Sequence, residues 1–140
     1  VYFSLKFQAD IKDSILHGAT HMKHIRWNDI SYERVNEHFR RKLAWDGKLM
    51  IALTEVDKGY VVPPHAHENE QATWVFSGKW RFQLEGRTVD VGPREMIFIP
   101  GNVVHTAEAV EAVVAYDIFT PPREDWLMGE DAYLRGDAAR

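Results

Sequence analysis

The feature that most restricts the fold is a series of short apolar segments between residues 48 and 119, each ended by glycine, proline or charged residues. Segments of four to nine residues have strand length, and turn residues at such close intervals leave no room for long helices. Many short strands in succession are typical of antiparallel sandwiches and barrels. We therefore predict one all-β domain, a single antiparallel β-barrel or jelly roll of six to eight strands.

The predicted strands and turns can be placed along the chain. The strands are 48–56, 71–76, 80–84, 88–91, 96–99, 103–108 and 112–119, and the turns include 57–59, 77–79, 85–86 and 100–102. Before them, the mixed polar pattern of residues 23–42 predicts a short helix and a connecting segment. After them, the tail from Pro121 contains enough apolar bulk, including Trp126 and Tyr133, to close one end of the barrel.

Residues 1–21 allow two interpretations. The run Gly18-Ala-Thr-His-Met22 resembles a cloning junction, which would make 1–21 a leader derived from an expression vector. Alternatively, polar and apolar residues alternate over residues 2–8, which predicts an N-terminal strand. Both interpretations stay open, and we assign residues 22–140 to the barrel domain.

Composition excludes several classes of function. The 140 residues are 45% hydrophobic and 27% charged, as in soluble globular domains large enough to bury a core. A net charge of −4 without a lysine and arginine cluster argues against nucleic-acid binding, and no apolar run approaches the ~20 residues of a membrane helix. The lack of cysteine excludes disulfides and thiolate metal sites and is compatible with the cytoplasm, where we expect the protein.

Three histidines and one glutamine form a candidate metal site. His65 and His67 are two residues apart in a segment predicted to be extended, so their rings share one face. Gln71 has the same parity, and His105 follows the turn at 100–102. Three imidazoles and a carboxamide oxygen suit one divalent transition metal ion such as Ni, Zn, Fe, Co or Mn.

The spacing of these residues resembles the two sequence motifs of the cupin superfamily. The first is Gly59, five residues, His65-Ala-His67, three residues, Gln71, six residues, Gly78, with glutamine where glutamate is usual. The second is the run Pro100-Gly-Asn-Val-Val-His105, although Arg94, Asn102 and Ala109 replace its usual Gly, Gly and Asn. The resemblance implies an RmlC-like cupin barrel whose metal ligands are His65, His67, Gln71 and His105. A neutral glutamine ligand would leave the ion more positive and favour an anionic substrate.

A second cluster lies near the end of the predicted sheet. Asp117 interrupts an apolar strand, which is costly for a buried carboxylate without a partner. It is therefore either an acid/base group directed into the barrel or the structural partner of an arginine or lysine. Arg123, just after Pro121-Pro122, is placed to cross the barrel mouth, where its planar fork suits a carboxylate.

Over residues 43–126 the sequence resembles the pectin-degradation cupins of the KdgF type. The similarity rests on His65-Ala-His-Glu-Asn-Glu-Gln71 and on Asp117-Ile-Phe-Thr-Pro-Pro-Arg123-Glu-Asp-Trp126. It implies an isomerase-type enzyme of carbohydrate metabolism that converts a 4,5-unsaturated monouronate, a sugar acid of the pectin or alginate type, to its linear keto form. Asp117, Phe119 and Arg123 would be catalytic, with Phe119 and Arg123 also contacting the substrate. Phe119 has an alternative interpretation as a core aromatic residue.

Two other functions fit the same residues. A metal-dependent dioxygenase would consume oxygen at a three-histidine iron site. A non-catalytic cupin would bind a sugar acid without turnover. In every case we expect a small anionic sugar acid as the partner, with neither nucleic acid nor membrane. We also expect a two-fold homodimer, because sheet ends and the aromatic residues Trp45 and Trp80 are expected to be exposed.

Overall fold

The computed structural model describes residues 4–136. Within them the chain forms eight strands: β1 (Glu33–Asn36), β2 (Phe39–Asp46), β3 (Leu49–Val56), β4 (Val61–His65), β5 (Glu70–Leu84), β6 (Arg87–Val91), β7 (Met96–Ile99) and β8 (His105–Thr120). The helices are α1 (Leu5–His17), α2 (Glu124–Met128) and α3 (Ala132–Arg135), and a 3-10 turn spans Trp27–Asp29. None of the helices in this part of the chain has the length and apolar character needed to span a membrane.

All strand pairs are antiparallel, and the sheet order is β1-β2-β3-β8-β5-β6, with β4 also pairing with β8 and β7 with β5. The predicted all-β antiparallel fold is therefore confirmed. Strands β5 and β8 lie at its centre and are registered from Glu70–Thr120 to Leu84–His105. Their alternate residues point to a buried interior, so these two strands carry most of the side chains that form the site below.

The predicted turn at 77–79 is wrong, because β5 continues through it. The register between β5 and β8 shifts at Ser77 and Lys79, and Gly78 has φ +82°. A Cβ at Gly78 would lie 1.8 Å from the carbonyl oxygen of Ala112. The Ser-Gly pair therefore marks a β-bulge, where one strand takes extra residues while pairing continues. For the same reason the two strands predicted at 103–108 and 112–119 are one strand, β8, which begins at His105.

The helix predicted within residues 23–42 is also wrong. Only the 3-10 turn Trp27–Asp29 is helical there, and β1 and β2 follow it. Strand β2 pairs with β3 along its whole length, but its inward-facing residues include Arg41. Arg41 is fully buried and lies 2.7 Å from the buried carboxylate of Asp131. A charged residue on the inner face hides the apolar alternation from which a strand is predicted.

The N-terminal strand predicted within residues 1–21 is wrong for the residues that the structure describes. The amide of Phe7 donates to Ser4 Oγ at 3.1 Å, which caps the first turn of α1. Ile11 is the buried contact of this helix. Residues 1–3 lie outside the described part, and the vector origin of residues 1–21 stays a prediction. The alternation of polar and apolar residues over residues 2–8 is too short to specify a strand. The N-cap at Ser4 and the burial of Ile11 favour a helix instead.

The C-terminal tail lies over one end of the barrel. Trp126 of α2 and Leu134 of α3 are buried and line the interior cavity. The side-chain Nδ2 of Asn36 donates to the carbonyl oxygen of Leu134 at 2.7 Å, and Arg135 forms an ion pair with Glu33. These contacts attach α3 to β1, so the tail forms one wall of the cavity.

Candidate metal centre and the adjoining pocket

The strand pairing brings the three predicted histidines together. His65 ends β4 directly opposite His105, which begins β8, and His67 lies in the loop before β5. One nitrogen of each ring lies within 4.8 Å of one nitrogen in each of the other two rings. Asn102, at φ +66°, donates its amide hydrogen to the carbonyl oxygen of His67 at 2.7 Å and so holds this loop against the 100–102 turn.

Backbone carbonyls orient all three rings in the same way. Each Nδ1 lies within hydrogen-bond distance of a carbonyl two residues away: Pro63 O (2.9 Å) for His65, Asn69 O (3.1 Å) for His67, and Val103 O (2.8 Å) for His105. A carbonyl can only accept, so each Nδ1 carries the proton and each Nε2 keeps its lone pair. The Nε2 of His105 is buried and has no hydrogen-bond partner among the described residues. Three neighbouring rings, each with a lone pair on Nε2, can bind a metal ion.

The electrostatic environment keeps these rings neutral. Burial lowers the pKa of His65 and of His67 to about 4, and positively charged neighbours such as Arg123 add to the shift. Burial also lowers the pKa of His105. Because a metal binds the neutral imidazole, the rings need not lose a proton to bind one at neutral pH. The three-histidine cluster can therefore hold one metal ion.

Gln71 begins the inner face of β5 beside this cluster. Its Oε1 lies 3.2 Å from His67 Nε2, and its Nε2 donates to Thr73 Oγ1 at 2.9 Å. With the proton of His67 on Nδ1, a ring lone pair faces an amide oxygen, and the two acceptors repel. A cation between them would turn this repulsion into coordination. Three imidazoles and one neutral oxygen are thus the candidate donors at this site.

Asp117 is the acidic group of the site. Thr73 donates to its Oδ1 at 2.6 Å, and the hydroxyl of Thr54 on β3 lies 3.1 Å from its Oδ2. Burial raises the pKa of Asp117, and these hydrogen bonds offset the increase only in part. Among residues 4–136 it forms no direct ion pair, but the charge of Arg123 also offsets part of the increase in its pKa, so both predicted roles of Asp117 stay predictions.

Arg123 follows the cis peptide bond between Thr120 and Pro121 and is almost completely buried. Its Nε and Nη2 donate to the two carboxylate oxygens of Asp125 at 2.9 and 2.7 Å, and Nη2 also donates to the hydroxyl of Tyr133 at 2.8 Å. The sequence analysis expected the guanidinium of Arg123 to bind a substrate carboxylate. In the structure, its edge formed by Nε and Nη2 binds Asp125 instead. Arg123 nevertheless lines the pocket and supplies a fixed positive charge there.

Phe119 lies between the histidines and the tail. Its ring meets His67 edge-on at a centroid distance of 5.7 Å and Trp126 at 5.0 Å. The guanidinium carbon of Arg123 lies 5.2 Å from the centre of the same ring. Phe119 is almost fully buried and also lines the pocket, so the core and site interpretations of this residue are both compatible with its position.

These groups surround one pocket with a cavity volume of about 40 Å³ that is partly open to solvent. The chemically active residues on its wall are His65, Gln71, His105, Asp117, Phe119 and Arg123. Trp80 also lines it and is buried, so the expectation that Trp80 is an exposed aromatic residue is wrong. Its apolar wall with a few converging polar groups is the type of lining found in small-molecule sites.

Several residues of the site escaped the sequence analysis. Thr54 and Thr73 bind Asp117, and the parity of Thr73 with Gln71 on one strand was a usable signal. Tyr133 stacks on His65 at a centroid distance of 4.7 Å and receives hydrogen bonds from Arg123 and Trp126. No spacing rule connects Tyr133 with the histidines, because α3 reaches them only through the folded tail.

Comparisons with known proteins agree with this geometry. Residues 52–119 match the family described as Cupin domain. KdgF from a Halomonas species has 28% identity and a TM-score of 0.71, covering 76% of this chain and 99% of that one. The polyketide cyclase RemF from Streptomyces resistomycificus has 26% identity and a TM-score of 0.62, covering 72% and 80%. An RmlC-like cupin from Shewanella frigidimarina has 23% identity and a TM-score of 0.70, covering 76% and 96%. No protein with a curated description matches the chain.

Proposed function

We propose that this chain, whose residues 52–119 match the cupin domain and whose fold is similar to that of KdgF, is a metal-dependent enzyme that converts a 4,5-unsaturated monouronate to its linear keto form. One observation carries the proposal. A buried carboxyl group with a raised pKa, Asp117, lines the same pocket as two of the clustered histidines and the buried Arg123. Such a pocket combines a proton carrier, metal donors and a positive charge, and these groups suit the binding and ring opening of a sugar acid.

The reaction moves a proton and breaks one ring bond without any redox change. The anomeric hydroxyl loses its proton and becomes the C1 aldehyde, while the bond from C1 to the ring oxygen breaks. The ring oxygen becomes the C5 carbonyl as a proton is added at C4 of the former double bond. Product and substrate are isomers, so no oxidant or second reactant is needed.

The proposed metal ligands are His65, His67, Gln71 and His105. Their ion would act as a Lewis acid that binds the carboxylate and a neighbouring oxygen of the substrate. The protein holds three of the donors through the Nδ1 contacts with backbone carbonyls. Gln71 adds no negative charge, so the site retains the full charge of the ion for an anionic substrate.

Asp117 moves the proton in this proposal. As a carboxylate it takes the proton of the anomeric hydroxyl, and as a carboxylic acid it returns it to C4. A carboxyl whose pKa is raised by burial is suited to both steps, because burial makes its carboxylate a stronger base while its acid form can still return the proton. Thr73 and Thr54 fix its position.

Arg123 and Phe119 position the substrate. Asp125 and Tyr133 hold the guanidinium of Arg123 in place, so its charge is directed at the pocket without loss of side-chain entropy on binding. Phe119 offers an apolar surface next to His67 for the sugar face. Both residues act by orientation rather than by proton transfer.

A panel of unsaturated monouronates, produced by pectin, alginate and glycosaminoglycan lyases, tests the proposal. The protein is stripped of metal and reloaded separately with Ni, Zn, Fe, Co and Mn. We expect loss of the absorbance of the conjugated alkene with at least one substrate and metal. Binding without turnover across the whole panel would favour a sugar-acid-binding protein instead.

The three-histidine cluster also favours a second candidate, a metal-dependent dioxygenase. Three neutral imidazoles suit Fe(II) and leave room for further ligands. The two functions differ in oxygen use, since the isomerisation needs none. Turnover that continues at the same rate in anaerobic buffer excludes the dioxygenase, and oxygen uptake coupled to substrate loss would exclude the isomerase.

A further inference from the structure

The hydroxyl oxygen of Tyr133 accepts two hydrogen bonds beside the pocket. Nη2 of Arg123 donates to it at 2.8 Å, and Nε1 of Trp126 donates to it at 3.1 Å. A guanidinium nitrogen and an indole nitrogen can only donate, so both bonds use lone pairs of the phenol oxygen. A phenol loses its proton only in strongly alkaline solution, so Tyr133 keeps its own hydrogen at neutral pH. The O–H of Tyr133 is therefore left to donate.

This O–H has no acceptor within the described part of the protein. No side chain or carbonyl of residues 4–136 accepts a hydrogen bond from Tyr133. Tyr133 nevertheless lines the pocket and stacks on His65, with ring centroids 4.7 Å apart. A half-buried donor without an acceptor is unfavourable, and a ligand oxygen in the pocket would remove this cost.

Arg123 supplies a second donor without a partner. Its Nε and Nη2 bind Asp125 and Tyr133, whereas Nη1 donates to no residue between positions 4 and 136. The Arg123 side chain is only 2% exposed and lines the same pocket. Because Arg123 and Tyr133 are hydrogen-bonded to each other, their two unmatched donors belong to neighbouring groups on the pocket wall.

We propose that Tyr133 is a further substrate-binding residue whose O–H, together with Nη1 of Arg123, receives a carboxylate oxygen of the sugar acid. An ionised carboxylate has only acceptors, so it complements two donors that no described residue satisfies. Hydrogen bonds to an ionised acceptor are also stronger than those to a neutral one. The pair would thus select acidic over neutral sugars. The identity of the ligand as a sugar acid rests on the proposed function.

The folded tail fixes Tyr133 in this position. Tyr133 lies on α3, which follows the fully buried carboxylate of Asp131. Asp131 lies 2.7 Å from Nη2 of the buried Arg41 on β2 and accepts a hydrogen bond from Nε of Arg135 at 2.6 Å. These contacts attach both ends of α3 to the barrel. A donor that is already held in place loses little conformational entropy when a ligand binds.

The proposed role of Tyr133 differs from that of Asp117. The carboxylate of the sugar acid is ionised in both substrate and product, so its hydrogen bonds contribute equally before and after ring opening. Loss of such uniform binding raises KM and leaves kcat nearly unchanged. Tyr133→Phe should therefore raise KM, whereas Asp117→Asn should lower kcat.

Binding of galacturonate and galactose tests the role of Tyr133. The two sugars differ at C6, where one has a carboxylate and the other a hydroxymethyl group. Neither has the double bond on which the proposed reaction acts, so binding is measured without turnover. With the zinc-loaded full-length chain, titration calorimetry should show tighter binding of galacturonate. Tyr133→Phe should lower the ratio of galacturonate affinity to galactose affinity by at least ~10-fold.

Tyr32→Phe is the matched control. Tyr32 is exposed, and its hydroxyl donates to Glu55 at 2.8 Å outside the pocket, so this variant should keep the affinity ratio of the wild type. Zinc content and melting temperature show whether Tyr133→Phe folds and holds the metal. An unchanged affinity ratio in folded, zinc-loaded Tyr133→Phe would overturn the proposal, and so would a wild type without preference for galacturonate.

A change in the ligand makes the same test without a variant. Galacturonamide has an NH₂ donor in place of one carboxylate oxygen, so it should bind the wild type at least ~10-fold more weakly than galacturonate. Equal binding of the two would overturn the proposal even if Tyr133→Phe did not fold.

Failure of this inference and failure of the proposed function have different signatures. Absence of turnover on every unsaturated monouronate would reject the enzyme but leave a Tyr133-dependent preference for acids intact. Turnover by Tyr133→Phe with the KM of the wild type would reject only the role of Tyr133.

Discussion

At the scale of single residues, hydrogen bonds link the candidate metal ligand Gln71 to the acid Asp117 through Thr73. The amide nitrogen of Gln71 donates to Thr73, which in turn donates to Asp117. This series of hydrogen bonds directs the amide nitrogen of Gln71 toward Thr73 and its Oε1 toward His67. A change at any of its three members is therefore expected to affect both the metal site and the acid.

Asp117→Asn tests the proton carrier. The amide keeps the shape of the carboxyl group but cannot exchange a proton near neutral pH. On the proposed mechanism kcat should fall by ~10²–10⁴-fold, the usual contribution of general acid–base catalysis. Kinetics on the best monouronate, together with metal content and melting temperature, measures the effect.

Asp90→Asn is the matched control, because Asp90 is solvent-exposed and pairs with Arg81 outside the pocket. It should leave kcat unchanged. Full activity in Asp117→Asn would assign the proton transfer to another group and leave Asp117 a structural role.

Arg123→Lys tests the fixed positive charge. Lysine keeps the charge but cannot hold both Asp125 and Tyr133 with the geometry of the planar fork. Substrate binding should weaken more than catalysis, so KM should rise by a larger factor than kcat falls. A fall in kcat at unchanged KM would place Arg123 in the chemical step instead.

At the scale of elements, the bulge in β5 determines how the barrel closes. Extra residues at 77–79 let β5 and β8 remain paired on both sides of the bend. The half of β5 before the bulge carries Gln71 and the half after it carries Trp80 and Phe82, and all three line the pocket. The pocket thus depends on a continuous strand at the position where a turn was predicted.

Gly78→Ala should destabilise the protein strongly. A methyl group there lies 1.8 Å from the carbonyl oxygen of Ala112, and the residue has φ +82°. The backbone strain and the clash together predict a loss of ~2–5 kcal/mol in the free energy of unfolding. Gly86→Ala has the same type of backbone, φ +69°, but nothing within 4 Å, so it should lose only about 1 kcal/mol. Denaturant unfolding of both variants compares the two, and equal losses would contradict the clash.

At the scale of the whole molecule, the histidine cluster couples stability to pH. The pKa of His65 and His67 is about 4 in the folded chain, whereas free histidine titrates near 6.5. Between these values the unfolded chain binds more protons than the folded one. The contribution of these two histidines to the stability of the metal-free protein is therefore constant above pH ~6.5 and falls as the pH falls from there to about 4.

Thermal melting of metal-free protein across this range measures the effect. Added metal should raise the melting temperature at pH 7, and the gain should shrink toward pH 4 as protons compete for the imidazoles. A variant without the cluster rings, His65→Ala with His67→Ala, should have a flatter profile. An identical pH profile in wild type and variant would contradict the assignment.

The sequence alone determined the class of fold and the central chemistry. Short apolar segments with frequent turn residues set the antiparallel β architecture, since local length and periodicity decide the type of element. The spacing of His65 and His67, together with the position of His105 after the 100–102 turn, predicted one cluster of imidazoles, and the three rings do lie together. The resemblance to cupins rests on the same spacing.

Only the tertiary structure decided which groups meet around these residues. Ser77-Gly78 forms a bulge and not a turn because β5 stays paired with β8 on both sides of it. Arg41 can lie on the inner face of β2 because it pairs with Asp131, a residue far away in the sequence. Tyr133 reaches His65, and Asp125 occupies the fork of Arg123, through the folded tail. Local sequence specifies a residue's side of its strand, but contacts between distant segments come from packing, which no local pattern encodes.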